Sequence, residues 1–121
     1  MHPDLHTGIA HFNRGNYFDS QVALEAAVNA TDADEQTLAR ALLMLAGAMH
    51  LYFNRGGGRG VLNLMRQTLL TLDDLRPERF GVRVEELFEG VQAYLNDLEA
   101  RASRTPRFVD RWLVPRIRLS G

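Results

Sequence analysis

The chain contains no cysteine, so disulfides, thiolate metal sites and cysteine nucleophiles are excluded from the outset. Lysine is missing as well: all fourteen basic residues are arginine, so every cation is a planar fork able to grip carboxylate or phosphate through two hydrogen bonds. A GC-rich coding bias accounts for that usage without invoking arginine chemistry. No apolar run is long enough to cross a bilayer, and Met1-His2-Pro3-Asp4 does not open a signal peptide, which predicts a cytoplasmic protein with no membrane partner. No stretch alternates with period two for long enough to predict a sheet.

Hydrophobic residues make up 45% of the 121 positions, which excludes a wholly disordered chain and provides for one compact core. The net charge of −1 conceals a division. Residues 1–100 hold eight Arg against fourteen Asp and Glu, whereas residues 101–121 hold six Arg against Asp110 alone. An acidic body thus carries a basic tail.

Phe12-Asn13-Arg14-Gly15 returns 41 residues later as Phe53-Asn54-Arg55-Gly56. Each copy closes one apolar-periodic segment and precedes another, so it reads as the corner of a helical hairpin used twice. A repeat of this size suggests stacked helix pairs, each too small to bury its own apolar face.

The first helix is expected from about Asp4 to Asn13, ending at Gly15, whose missing Cβ permits a left-handed turn. The second begins near Tyr17, with Tyr17, Phe18, Val22, Leu24 and Val28 on its apolar face. Asp32 and Glu35 are spaced as a capping box, placing the third helix start near Ala33. Leu38, Leu42, Leu45, Ala46, Met49 and Phe53 follow helical periodicity, and Leu43, Leu51 and Tyr52 widen the stripe, making this the most buried element. Gly56-Gly57-Gly58-Arg59-Gly60 has neither a preceding strand nor a Gly-Lys-Ser/Thr ending, so it reads as a corner rather than a phosphate loop. The fourth helix carries Val61, Leu62, Met65, Leu69 and Leu72. Pro77 and Gly81 bracket a loop. The fifth buries Val84, Leu87, Phe88, Val91, Leu95 and Leu98, with Gly90 as a small cost or a close-packing point. Beyond Ser103, Pro106 and Pro115 argue against a further regular helix.

Gln21 and Glu25 are four apart and share a helix face. Tyr17, Leu24 and Val28 make that face apolar, so Glu25 is expected to need a partner or a proton there. His50, one turn past Ala46, is its expected counterpart, both facing one interior site. A functional reading makes them a ligand or acid–base pair. The preferred reading is a buried hydrogen-bonded pair that fixes the packing, since structural networks perturb titration as well.

The run from Gly8 to Phe18, with Met49-His50, Arg55-Gly56 and Gly60-Val61, resembles domain-of-unknown-function family 309, small helical bacterial and archaeal proteins. The likeness spans about residues 4–98. It implies an all-α fold and points to the family signature His-x-x-x-Glu-x-x-(Trp or Tyr), proposed to bind metal. Gln21 stands where that histidine belongs and Val28 where the aromatic belongs; only Glu25 remains. An amide is a poor ligand for zinc or iron, so no metal or other cofactor is expected, a metal at Glu25 and His50 being the alternative.

His2 and His6 read as solvated terminal residues, and His11 as either surface or hairpin core. Arg14 and Arg55 close equivalent corners and are expected to bond helix-end carbonyls, with a ligand clamp as the alternative. No Ser–His–acid set or nucleotide fingerprint is present. In the tail, arginines interleave with Phe108, Trp112, Leu113, Val114 and Ile117. That mixture suits phosphate backbones and base stacking, or an arm docked on the acidic body or on a second copy; charge favours docking, with Trp112 protected and the arginines facing acids.

The expected architecture is a five-helix, all-α domain over residues 1–103, built from two tetratricopeptide-like hairpins and a C-terminal helix, followed by an arm over 104–121. The expected function is a non-catalytic binding or scaffold module with a protein partner or self-association. The rivals are a hydrolase-like, metal-assisted enzyme at Glu25 and His50, and nucleic-acid binding through the arm.

Overall fold

The computed structural model describes residues 1–30, 32–101 and 105–120. The expected domain boundary at 103–104 lies outside them. The fold is all-α: α1 (Pro3–Asn13), α2 (Tyr17–Ala27), α3 (Ala33–Arg55), α4 (Arg59–Asp73), α5 (Val84–Ala100) and a single turn, α6 (Asp110–Leu113), with no named strand among the described residues. No helix among them is long and apolar enough to cross a membrane.

Successive helices pack on one another, α1 on α2, α2 on α3, α3 on α4 and α4 on α5, with α3 also touching α1. One apolar cluster runs through them all, and α3 supplies its centre: Leu38, Leu42, Leu45, Ala46, Met49 and Tyr52 are fully buried. Helix α2 corrects the sequence expectation. Its buried stripe is Tyr17, Ser20, Leu24 and Ala27, while Phe18 and Val22 are exposed. The cause is close approach to α1. A Cβ at Gly8 would sit 2.6 Å from Leu24, and Ser20 donates to the Gly8 carbonyl at 2.8 Å. Small residues therefore set this face, and large ones flanking it are turned outward.

The capping box at α3 is half realised. Asp32 accepts from the Asp34 and Glu35 amides, but the Glu35 carboxylate takes the backbone N–H of His2 instead of reaching back to its own cap. That bond ties the N-terminus to α3. At the first corner, Gly15 adopts φ +79°; its amide bonds Phe12 O and the Asn16 amide bonds His11 O at 2.9 Å, a Schellman closure. The second corner turns at Gly56, φ +87°, with one bond to Tyr52 O.

Candidate functional site

The arm docks on its own body, and a buried carboxylate holds it. Asp110 has no exposed side-chain surface. Tyr52 Oη donates to its Oδ2 at 2.6 Å and the Arg107 amide does so at 2.7 Å. Arg101 grips both carboxylate oxygens, each at 2.9 Å, and also donates to Tyr52 Oη and to Asp97. Burial alone would raise the Asp110 pKa; hydrogen bonds from Arg101, the Arg107 backbone and Tyr52 outweigh it and hold the carboxyl well below the usual range. Burial, then the bond to Asp110, pushes the Tyr52 phenol up to about 12. The Arg101 guanidinium is held more firmly charged, chiefly by its bond to Asp110. With every carboxylate lone pair engaged, this is a clasp and not a reactive acid.

Four further contacts carry the arm across the molecule. Pro115 lies where a Gly90 side chain would be, its Cβ 2.7 Å from that position, so Gly90 is a close-packing point. The Asn13 amide pairs with the Ile117 backbone in both directions, donating to its carbonyl and accepting from its N–H, each at 2.8 Å. Ile117 is buried there. Beyond it, the Arg83 amide bonds Arg118 O and the Ser120 amide bonds Gly81 O.

The expected protection of Trp112 does not hold. Trp112 is 77% exposed and Phe108 86% exposed, with Val109 and Leu113 also outward. In α6, buried Asp110 is the anchoring residue, and Trp112 two residues on is left largely exposed. The arm's arginines divide as well. Arg107 reaches Asp97 and Asp110, and Arg118 lies 3.9 Å from Glu86. Arg111 instead lies over the Phe53 ring at 4.4 Å, and Arg116 has no carboxylate within 4.0 Å among the described residues.

The arm and the first corner enclose a cleft of about 310 Å³ lined by Arg14, Tyr17, Arg111, Trp112 and Arg116 among others. It adjoins a second of about 580 Å³, lined by His6, Ile9 and Ala10 of α1 together with Arg83 and Arg118. Asn13 and Arg116 line both, and the two neighbouring clefts together make a basic trough. Arg14, like Arg111 and Arg116, has no carboxylate within 4.0 Å among the described residues.

The residues singled out in the sequence are dispersed. Glu25 is exposed on α2, which corrects its expected interior position: the face it shares with Phe18 and Val22 is the outward one. His50 is half-buried. Its Nδ1 and carbonyl both meet Asn54, and its ring lies 5.7 Å from Phe18. No hydrogen bond or ion pair joins it to Glu25, so the expected pair does not form. Gln21 is the side chain lying over Gly47, its amide nitrogen 3.2 Å from where a Cβ would stand. His11 is half-buried, and its Nδ1 has no hydrogen-bond partner among the described residues. Arg14 and Arg55 are exposed, and among the described residues neither side chain caps a helix carbonyl. Arg55 lines a shallow recess with Gly56, Gly57, Gly58 and Thr105, apart from the basic trough. Among the described residues, no three His, Asp or Glu side chains cluster as a metal site would require.

The trough and its clasp were missed in the sequence. The available signal was Asp110, the one acid in an arginine-rich tail, and the second appearance of Asn13 at a corner. Comparison with family models, with curated proteins and with solved structures returns no match.

Proposed function

We propose that the chain is a non-catalytic helical binding module, a divergent relative of family 309 whose two corners stack in tetratricopeptide fashion. Its binding face is the basic trough between the first corner and the docked arm, and its partner is anionic. One observation carries this reading: Arg14, Arg111 and Arg116 line a single cleft with no carboxylate partner among the described residues. Of the seven other arginines of the body, four are matched: Arg66 with Glu99, Arg76 with Glu85 and Asp73, Arg79 with Asp34 and Arg83 with Glu86. Unmatched guanidinium groups gathered in a concavity suit the recognition of carboxylate or phosphate.

Trp112 is the single tryptophan of the chain and stands at the cleft, which makes it an internal reporter. Titration with polyphosphate at low ionic strength is expected to change Trp112 emission saturably. Replacing Arg14, Arg111 and Arg116 together by alanine is expected to abolish the response. A saturable response untouched by that triple replacement, or no response at all, sinks the reading.

A further inference from the structure

Resting on that reading of the trough, we propose that its partner is a single strand of nucleic acid, its phosphates following the arginines and a base stacking on Trp112. Together the two clefts present five arginines, more than one small anion engages. Arg116 stands where the two clefts meet, with Arg14 and Arg111 to one side and Arg83 and Arg118 to the other. The two groups are not equivalent. Arg83 shares Glu86 with Arg118, at 3.1 Å and 3.9 Å, so that end is partly neutralised. The end at Arg14, Arg111 and Arg116 keeps its charge and has the exposed indole beside it.

Arginine forks accept carboxylate and phosphate alike, so charge alone does not separate a nucleic acid from an acidic peptide. Trp112 does: every nucleotide brings a π face along with its phosphate, whereas an acidic side chain brings none. Phe18, 60% exposed, lines the next recess beyond Tyr17 and Arg111 and offers a second ring. The acidic remainder of the body repels a polyanion elsewhere and so confines it to this path.

The test is binding of a labelled oligothymidylate of about 10 nucleotides, followed by anisotropy and by Trp112 emission over a range of salt. Three phosphate contacts predict a slope of log K against log salt near −2, at about −0.7 per contact on a single strand. Arg116→Ala is expected to reduce that slope by about 0.7. Arg40→Ala, an exposed α3 arginine outside the trough, is expected to leave it unchanged. Trp112→Ala is expected to weaken binding about tenfold without altering the slope. Polyphosphate binding through the three arginines with no oligonucleotide binding would overturn this inference and leave the binding-module reading intact. Failure of both would overturn both. Tighter binding to polyglutamate or to anionic phospholipid vesicles than to the oligonucleotide would also overturn it.

Discussion

The two Phe-Asn-Arg-Gly corners are identical in sequence and differ in use. Asn13 spends its amide on the arm, pairing with both backbone groups of Ile117; Asn54 turns back onto its own helix at His50. One residue earlier than each phenylalanine the roles reverse. Tyr52 holds the arm through Asp110, while His11, its counterpart 41 residues before, leaves Nδ1 without a partner among the described residues. The two phenylalanines converge on one ring, Phe12 meeting Tyr17 edge-on and Phe53 lying parallel to it. A repeated motif thus places a positive-φ glycine at each corner, and the neighbouring chain decides how the turn closes and what its polar groups do. The arm makes the corners unequal.

The largest effect is expected at the clasp. Asp110→Ala strands Arg101 and Tyr52 around an empty carboxylate position, a loss of about 3–5 kcal/mol by analogy with other broken buried pairs. Chemical denaturation checks this, and a loss below about 1 kcal/mol would show that the arm is not integral to the fold. Gly90→Ala comes next, at about 1–3 kcal/mol, because its methyl group meets Pro115. A neutral result there would mean that the arm lifts from α5 freely. Asn13→Ala leaves the N–H and carbonyl of Ile117 unpaired and is expected to cost about 2 kcal/mol. Asn54→Ala removes only exposed local bonds, so its expected cost is under about 0.5 kcal/mol. Equal costs for the two asparagines would erase the distinction between the corners.

The clasp also sets a pH window. Asp110 has a depressed folded-state pKa, so its contribution is present above the unfolded value of about 3.9 and is lost as pH falls through the lower folded value. Tyr52 is raised to about 12, so its contribution is complete below pH of about 10 and is lost between there and 12. Stability measured across that alkaline range is expected to decline, and Tyr52→Phe is expected to remove part of the slope. Tyr94, also raised by burial and by Asp110, supplies another part.

Much of the helical layout was legible in the sequence because apolar periodicity is strong from Leu38 to Met49 and from Val84 to Leu98, and because Gly15 and Asp32 mark a stop and a start. The α2 face was not legible. Phe18 and Val22 outweigh Ser20 and Ala27 on any hydrophobic scale, yet contact with Gly8 favours the small residues. That misreading propagated to Glu25, whose expected burial depended on the same face. The clasp joins Tyr52, Arg101 and Asp110 across 58 residues, and no local spacing announces such a contact. Trp112 is expected to be protected because charge docks the arm on the body; the arm does dock, but Asp110, two residues earlier, is the side chain that the turn buries.

Amide hydrogen exchange at Ile117 tests the unequal corners most directly. Its N–H donates to Asn13 Oδ1 and to nothing in its own segment. In the unaltered protein and in Asn54→Ala, Ile117 is expected to exchange as slowly as the core of α3. In Asn13→Ala its exchange is expected to approach that of a free amide while α3 stays protected. Fast exchange at Ile117 in the unaltered protein, or equal acceleration by the two asparagine replacements, would contradict the account.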